Sequence, residues 1–172
     1  CNKPTKYIIN LDRQQKKMTY HKDCIRWSAV DGKEVQLETI MNSKLYTRYN
    51  TKENKVRGMY GCLMSHIKVL QHIVNNKINN VCVLEDDSTS DFVLPDKLRD
   101  TNHITYLGGW IVNKKMKDIK NAVVEKENFV NGINHLKDCR VLTTRAYYIP
   151  QWKYAQDLLD YINNKKVWKA ID

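Results

Sequence analysis

Leu84-Glu85-Asp86-Asp87-Ser88 places three carboxylates directly behind an apolar run, Val81-Cys82-Val83-Leu84. A short uninterrupted apolar run bounded by the polar Asn79-Asn80 reads as a buried strand of an α/β sheet. The carboxylates then leave the carboxyl end of a central strand, the edge at which open α/β sheets bind ligands. Adjacent like charges cost free energy unless a cation shares them, and clustered carboxylate oxygens suit hard ions such as Mg²⁺ or Mn²⁺. An ion held there can in turn hold a nucleotide diphosphate. The plainer alternative is a solvated acidic turn. The strand-end position favours the metal.

The elements that must position this triplet alternate along the chain. Lys6–Leu11 reads as a first strand, and Asp12-Arg13 opens a polar helix to about Cys24. Ile25–Val30 reads as a second strand, stopped by the turn dipeptide Asp31-Gly32. Gly58 leads into an amphipathic helix with Met59, Cys62, Leu63, His66, Ile67, Leu70, Ile73 and Val74 on one side. After the Val81–Leu84 strand, the pattern predicts a short helix over 91–100 and a strand over 104–107 that ends in Gly108-Gly109. Residues 110–138 are lysine-rich and carry no clear period. Val141–Ile149 reads as a strand, and Pro150 starts a helix through Ile162. Such alternation implies a mostly parallel central sheet with helices on both faces. At 172 residues, with no internal repeat or linker, residues 1–172 are expected to form a single domain.

Charge and cysteine usage bound the partners. The formal net charge is +10, with a pI near 9.3, which favours anionic partners. The 29 Lys and Arg residues are dispersed, and Lys outnumbers Arg, the usual reader of base edges. Nucleic acid is therefore not the expected partner; a sugar nucleotide, an acidic glycan acceptor or a plain solubilising surface fits the charge equally well. No stretch approaches the ~18–20 apolar residues of a membrane span. No signal-peptide pattern opens the chain, although a start at Cys1 leaves a trimmed targeting segment as an alternative. Cys1, Cys24, Cys62, Cys82 and Cys139 are scattered without metal-ligand spacing, and a reducing, cytoplasmic setting is expected. Cys62 and Cys82, in apolar segments, read as small core residues.

Several segments together resemble the family 25 glycosyltransferases, which include lipopolysaccharide and collagen galactosyltransferases. Tyr7-Ile8-Ile9-Asn10-Leu11-Asp12-Arg13 resembles the family's "INLDR" strand and turn, and Ser28-Ala29-Val30-Asp31-Gly32 its "AVDG" segment. Gly58-Met59-Tyr60-Gly61-Cys62-Leu63-Met64-Ser65-His66 is similar to "GxxGCxxSH", and Val83-Leu84-Glu85-Asp86-Asp87 to "VLEDD". Leu107-Gly108-Gly109 and Thr144-Arg145-Ala146-Tyr147-Tyr148-Ile149 fall where the family has a Gly-Gly turn and "TxAYxIS". The resemblance covers almost the whole chain, with six pieces in order.

It implies a GT-A-type nucleotide-binding sandwich and a metal-assisted, inverting transfer of a hexose, galactose or glucose, from a UDP-sugar to a hydroxyl on a glycan or protein. The chemistry needs a Lewis acid for the diphosphate leaving group. It also needs a carboxylate base on the opposite face of the sugar. The resemblance assigns Mn²⁺ or Mg²⁺ to Glu85 and Asp87, which share one side of an extended chain. Asp86, pointing the other way, is expected to bind the ribose or orient its neighbours.

Donor-nucleotide contacts are expected from Asn10 and Arg13, where the first strand turns into a helix, and from Asp31 in the Asp-Gly turn. Ordinary capping and turn chemistry are the alternatives. Ser65 and His66 are expected to face the donor as binding groups. A lone histidine on an apolar helix face is otherwise a core residue, and neighbouring helix positions do not form a hydrolase pair. Gly61 is expected to permit close backbone approach.

Asp172, in an apolar-Asp segment after which the family continues, is the candidate base or a second metal ligand. Two further functions stay open: a non-catalytic sugar-nucleotide- or glycan-binding relative, and a metal-dependent phosphoesterase or nuclease built on the triplet. The acceptor, the linkage and the oligomeric state are not legible.

Overall fold

The computed structural model describes residues 3–43, 52–88, 98, 102–113 and 139–164. One sheet holds five strands in the order β2-β1-β3-β5-β4. These are β1 (Thr5–Asn10), β2 (Ile25–Ser28), β3 (Val81–Glu85), β4 (Thr105–Asn113) and β5 (Cys139–Ile149). β1 pairs in parallel with both β2 and β3. β5 runs antiparallel to β3 and to β4. The sheet is thus mixed, with β5 the reversed strand among those described.

β3 occupies the centre, which is why its apolar run is unbroken. Val81 and Val83 join Tyr7, Ile9, Tyr147 and Ile149 on one face, whereas Cys82 and Leu84 join Ile8, Ala146 and Tyr148 on the other. That alternation is the period of two expected of a strand buried on both sides.

Three helices cover the first face: α1 (Leu37–Met41), α2 (Glu53–Asn75) and α3 (Trp152–Asn164). Ile40 of α1, Leu63, Ile67, Leu70 and Ile73 of α2, and Ala155, Leu159 and Ile162 of α3 share one cluster with the sheet. The two-faced helix cover expected from alternation is found only in part. The second face receives Met18 and Leu98 rather than a described α-helix, and the helix expected over 91–100 lies outside the described residues apart from Leu98. No helix among the described residues is long and apolar enough to cross a membrane.

Local boundaries differ from the sequence expectations for physical reasons. Asp12–Tyr20 forms a 3₁₀ helix, irregular at Gln14, that stops before Cys24. This polar segment has no apolar stripe to extend it as an α-helix. α2 starts at Glu53 rather than Gly58, its start hidden by a polar first turn in which Arg57 pairs with Glu53 at 2.7 Å. It ends with Lys77 at φ 51°, where the Ile78 N–H bonds to Ile73 O at 2.9 Å and the Lys77 N–H to Val74 O at 3.1 Å. This doubly bonded left-handed cap turns the chain sharply into β3. β4 runs through Gly108-Gly109 instead of ending there, with register shifts on either side of Gly108. Glycines absorb such bulges inside a strand.

Candidate active site

The carboxyl ends of the parallel strands β1, β2 and β3 open on one cleft of about 210 Å³. Its walls come from Ile9 near the end of β1, Leu11, Arg13 and Gln14 after it, Ala29 to Lys33 after β2, Glu85 and Asp86 at the end of β3, and residues 54–66 of α2. α2 reaches this edge because two glycines remove side chains from its contact with the loop after β2. A Cβ on Gly61 would stand 2.6 Å from the Val30 carbonyl oxygen, and one on Gly32 would stand 1.8 Å from that of Arg57.

Asn10 is buried at the end of β1, and its amide links β1 to β2 and to the residue after β3. Its Nδ2 donates to Asp86 Oδ2 at 2.9 Å and to the Gln14 carbonyl at 3.2 Å, while its Oδ1 accepts from Arg26 Nε at 3.0 Å. Arg26 also pairs with Asp12, which Ser28 Oγ bonds at 2.9 Å. These two bonds, Arg26 first, hold the Asp12 carboxyl below its usual range. Asn10 thus holds the Asp86 carboxylate in place, its own bonded side-chain atoms meeting protein groups.

Arg13 reaches across the cleft mouth to Asp31, with Nε 2.7 Å from Oδ2. The Lys33 N–H donates to Asp31 Oδ1 at 3.0 Å, so the Asp-Gly turn is also an Asx turn. The Arg13 bond, followed by that amide, lowers the Asp31 pKa. Both residues line the cleft, and Arg13 is half exposed beside Lys33, giving the mouth two cations for an anionic ligand. Ser65 is buried. It accepts the Val30 N–H at 2.8 Å and donates to the Gly61 carbonyl at 2.6 Å, fastening the loop to α2.

Glu85 ends β3, and His66 meets it from α2. His66 Nε2 lies 3.2 Å from Glu85 Oε1, and His66 Nδ1 lies 3.0 Å from the Tyr147 hydroxyl on β5. A carboxylate oxygen only accepts, so the consistent pattern is Tyr147 O–H to Nδ1 and Nε2–H to Glu85. Burial, helped by the charges of Tyr106, Glu85 and Cys62, pushes the Tyr147 pKa well above its ordinary value. That keeps the phenol a donor. Cys62, one helical turn before His66, brings its Sγ to 3.9 Å from the same Oε1. The donor atoms of Cys62, His66 and Glu85 lie within 4.8 Å of one another.

Arg13, Asp31, Ser65, His66, Glu85 and Asp86 line one cleft, and Asn10 lies buried behind Asp86. The structure sets Asp87 apart. β3 ends at Glu85, and the Ser88 N–H bonds back to Glu85 O at 3.0 Å. The chain turns there, so the side-to-side alternation that grouped Glu85 with Asp87 no longer applies. Asp86 lines the cleft with Glu85, while Asp87 is exposed near Arg145, 3.7 Å away. Asp172 lies outside the described residues.

Cys62 and Tyr147 are the residues that sequence reasoning passed over. Cys82 is the fully buried core thiol it was expected to be, its pKa pushed up to about 12 by burial. Cys62 instead faces the cleft. The i, i+4 spacing of Cys62 and His66 on one helix was the available signal; nothing local pointed to Tyr147.

A family model described as "Glycosyltransferase family 25 (LPS biosynthesis protein)" matches residues 3–172. No curated protein matches the chain.

Proposed function

This chain belongs to glycosyltransferase family 25, and we propose that it transfers a hexose, galactose or glucose, from a UDP-sugar to a hydroxyl acceptor with inversion. The family's description points to a lipopolysaccharide-type glycan as the acceptor class. The observation that carries the reading is the composition of the cleft: cations at its mouth and two strand-end carboxylates, Glu85 and Asp86, at its inner wall.

A hard divalent ion is bound by one or two carboxylates together with substrate phosphates, and Glu85 with Asp86 supplies that donor type. We assign Mn²⁺ or Mg²⁺ to them. Bound there, the ion neutralises charge on the departing diphosphate. Arg13 binds and orients the same diphosphate or the base from the mouth. His66 holds Glu85 in place through Nε2, and Asn10 holds Asp86. Asp31 positions Arg13, and the turn it builds places the Lys33 side chain at the same edge. An inverting displacement needs a base across the sugar from the diphosphate, and Asp172 is the proposed base.

Thermal melts with Mn²⁺, UDP, both, or both plus chelator test this reading. Ligand that binds only the native state stabilises it by about 2.7 kcal/mol at a hundredfold excess over Kd. UDP with Mn²⁺ is expected to raise the Tm, and UDP with chelator to do little. Glu85→Gln removes the metal-dependent part, whereas Asp172→Asn retains it and loses sugar transfer. Equal shifts with and without chelator end the metal assignment.

A further inference from the structure

We propose that Cys62, His66 and Glu85 form a site for a thiophilic divalent ion, Zn²⁺ in the first place, on the wall of the cleft. The donor set carries the argument. A hard ion such as Mg²⁺ or Mn²⁺ selects oxygen ligands, whereas thiolate, imidazole and carboxylate together are the ligands of zinc. No other group of three such side chains able to hold a metal occurs among the described residues.

The spacing fits. Zinc bonds of about 2.0–2.1 Å to nitrogen, 2.0–2.2 Å to oxygen and 2.3 Å to sulfur, disposed tetrahedrally, hold donor pairs about 3.3–3.6 Å apart. Here His66 Nε2 stands 3.2 Å and Cys62 Sγ stands 3.9 Å from Glu85 Oε1. The third side, Cys62 Sγ to His66, lies within 4.8 Å, and a turn of the partly exposed Cys62 side chain toward His66 closes the triangle. Cys62 and His66 are held at i, i+4 on one rigid helix, and Glu85 is at the end of the central strand, so the site does not depend on loop ordering.

The outer contact is also in place. A metal-bound histidine donates its other ring N–H to a fixed acceptor. The Tyr147 oxygen lies 3.0 Å from His66 Nδ1. On binding, the ion replaces the proton on Nε2, the imidazole carries its proton on Nδ1 instead, and Tyr147 accepts rather than donates. The Cys62 thiol releases its proton to solvent as the Zn–S bond forms. Three protein ligands leave a fourth position, and all three residues line the cleft. That position is open to water or to an anionic ligand oxygen.

Glu85 serves both ions, so zinc and the hard ion of the donor complex exclude one another. Only this last consequence rests on the glycosyltransferase reading.

The test is zinc itself, titrated into the full chain in competition with a chromogenic indicator and without nucleotide. Co²⁺ is then used as a spectroscopic substitute that shows a thiolate charge-transfer band. The wild-type protein is expected to take one zinc and to show the band. Cys62→Ser loses the band, and Cys62→Ser and Glu85→Gln each weaken zinc by about 10–100-fold or more, the range known even for residues one step beyond a ligand. Tyr147→Phe keeps the band but weakens zinc about tenfold, because the Nδ1–H loses its acceptor. Cys24→Ser changes nothing. Glu85→Gln, at a partly exposed strand end, keeps the test decisive if Cys62→Ser is poorly folded. Absence of zinc binding, or a band that survives Cys62→Ser, overturns the proposal. Failure of UDP to bind, with zinc still bound through Cys62, removes the donor reading and leaves the zinc site standing.

Discussion

Two histidines less than two turns apart on α2 each meet a tyrosine from the sheet, and only one of them belongs to the site. His72 Nε2 lies 3.1 Å from the Tyr7 hydroxyl and its Nδ1 3.1 Å from Asn76 Nδ2. Trp27 packs at 4.9 Å between ring centroids. That imidazole's contacts with Tyr7, Asn76 and Trp27 are all to neutral groups. His66 makes the same kind of contact with Tyr147, but its Nε2 meets the carboxylate of Glu85 instead. The histidine–tyrosine pair is common to both places on the helix. What distinguishes the His66 pair is the strand terminus opposite it, where β3 ends and ionisable side chains line an open cleft. The part of α2 after His66 holds the fold, and the part up to His66, shaped by glycines and a buried serine, holds the ligand-facing groups.

The division predicts different costs for the two parts. Leu70→Ala, in the structural part at a fully buried position, is expected to cost about 2–5 kcal/mol. Chemical denaturation measures it, and the folded fraction should keep its metal-dependent affinity for UDP. Loss of affinity without loss of stability would erase the distinction. His66→Gln and His72→Gln sharpen it. His66→Gln loses a buried hydrogen bond worth about 1–3 kcal/mol and His72→Gln partly exposed ones worth about 0.5–1.5 kcal/mol, yet only His66→Gln should also abolish the Mn²⁺-dependent Tm shift with UDP.

Gly61→Ala forces a methyl to within 2.6 Å of Val30 O and 2.8 Å of Gly32 N, and overpacking of that kind costs about 1–3 kcal/mol. Gly58, with nothing within 4 Å of its virtual Cβ, is the control. Its change to alanine should stabilise the helix by about 0.5–1 kcal/mol. A pair of melts reads both, and equal effects would mean that the loop after β2 does not depend on close approach.

The smallest effect is at the mouth. The Arg13–Asp31 pair is partly exposed and is worth about 0.2–1 kcal/mol. Because the Asp31 pKa is lowered in the folded state, its contribution is complete above the unfolded value near ~3.9 and is lost as pH falls through the lower folded value. Arg13→Ala should therefore be less stable than wild type at neutral pH, with the gap narrowing through the acid range below about 4. Melts across that range measure it, and a gap that is constant with pH would assign Arg13 to packing alone.

The sequence by itself determined the central strand, the amphipathic helix and the position of the acidic triplet. Each rests on a local pattern: an apolar run bounded by polar residues, a 3.6-residue period, and charges following directly in the chain. Strand-end residues of parallel neighbours share an edge, which brought Asn10, Asp31, Glu85 and Asp86 into one expected neighbourhood, while Ser65 and His66 entered it only through the family resemblance. Tertiary structure decided the rest. The turn after Glu85 broke the alternation that had paired it with Asp87 and sent Asp86 into the cleft with it. Asn10 and Ser65 became anchors because their hydrogen-bond partners come from other elements. Cys62 joined His66 and Glu85 because α2 crosses β3 at the register that Gly61 and Gly32 permit. Those outcomes depend on which groups meet through space, and neighbours in space but not in sequence leave no period or spacing to read.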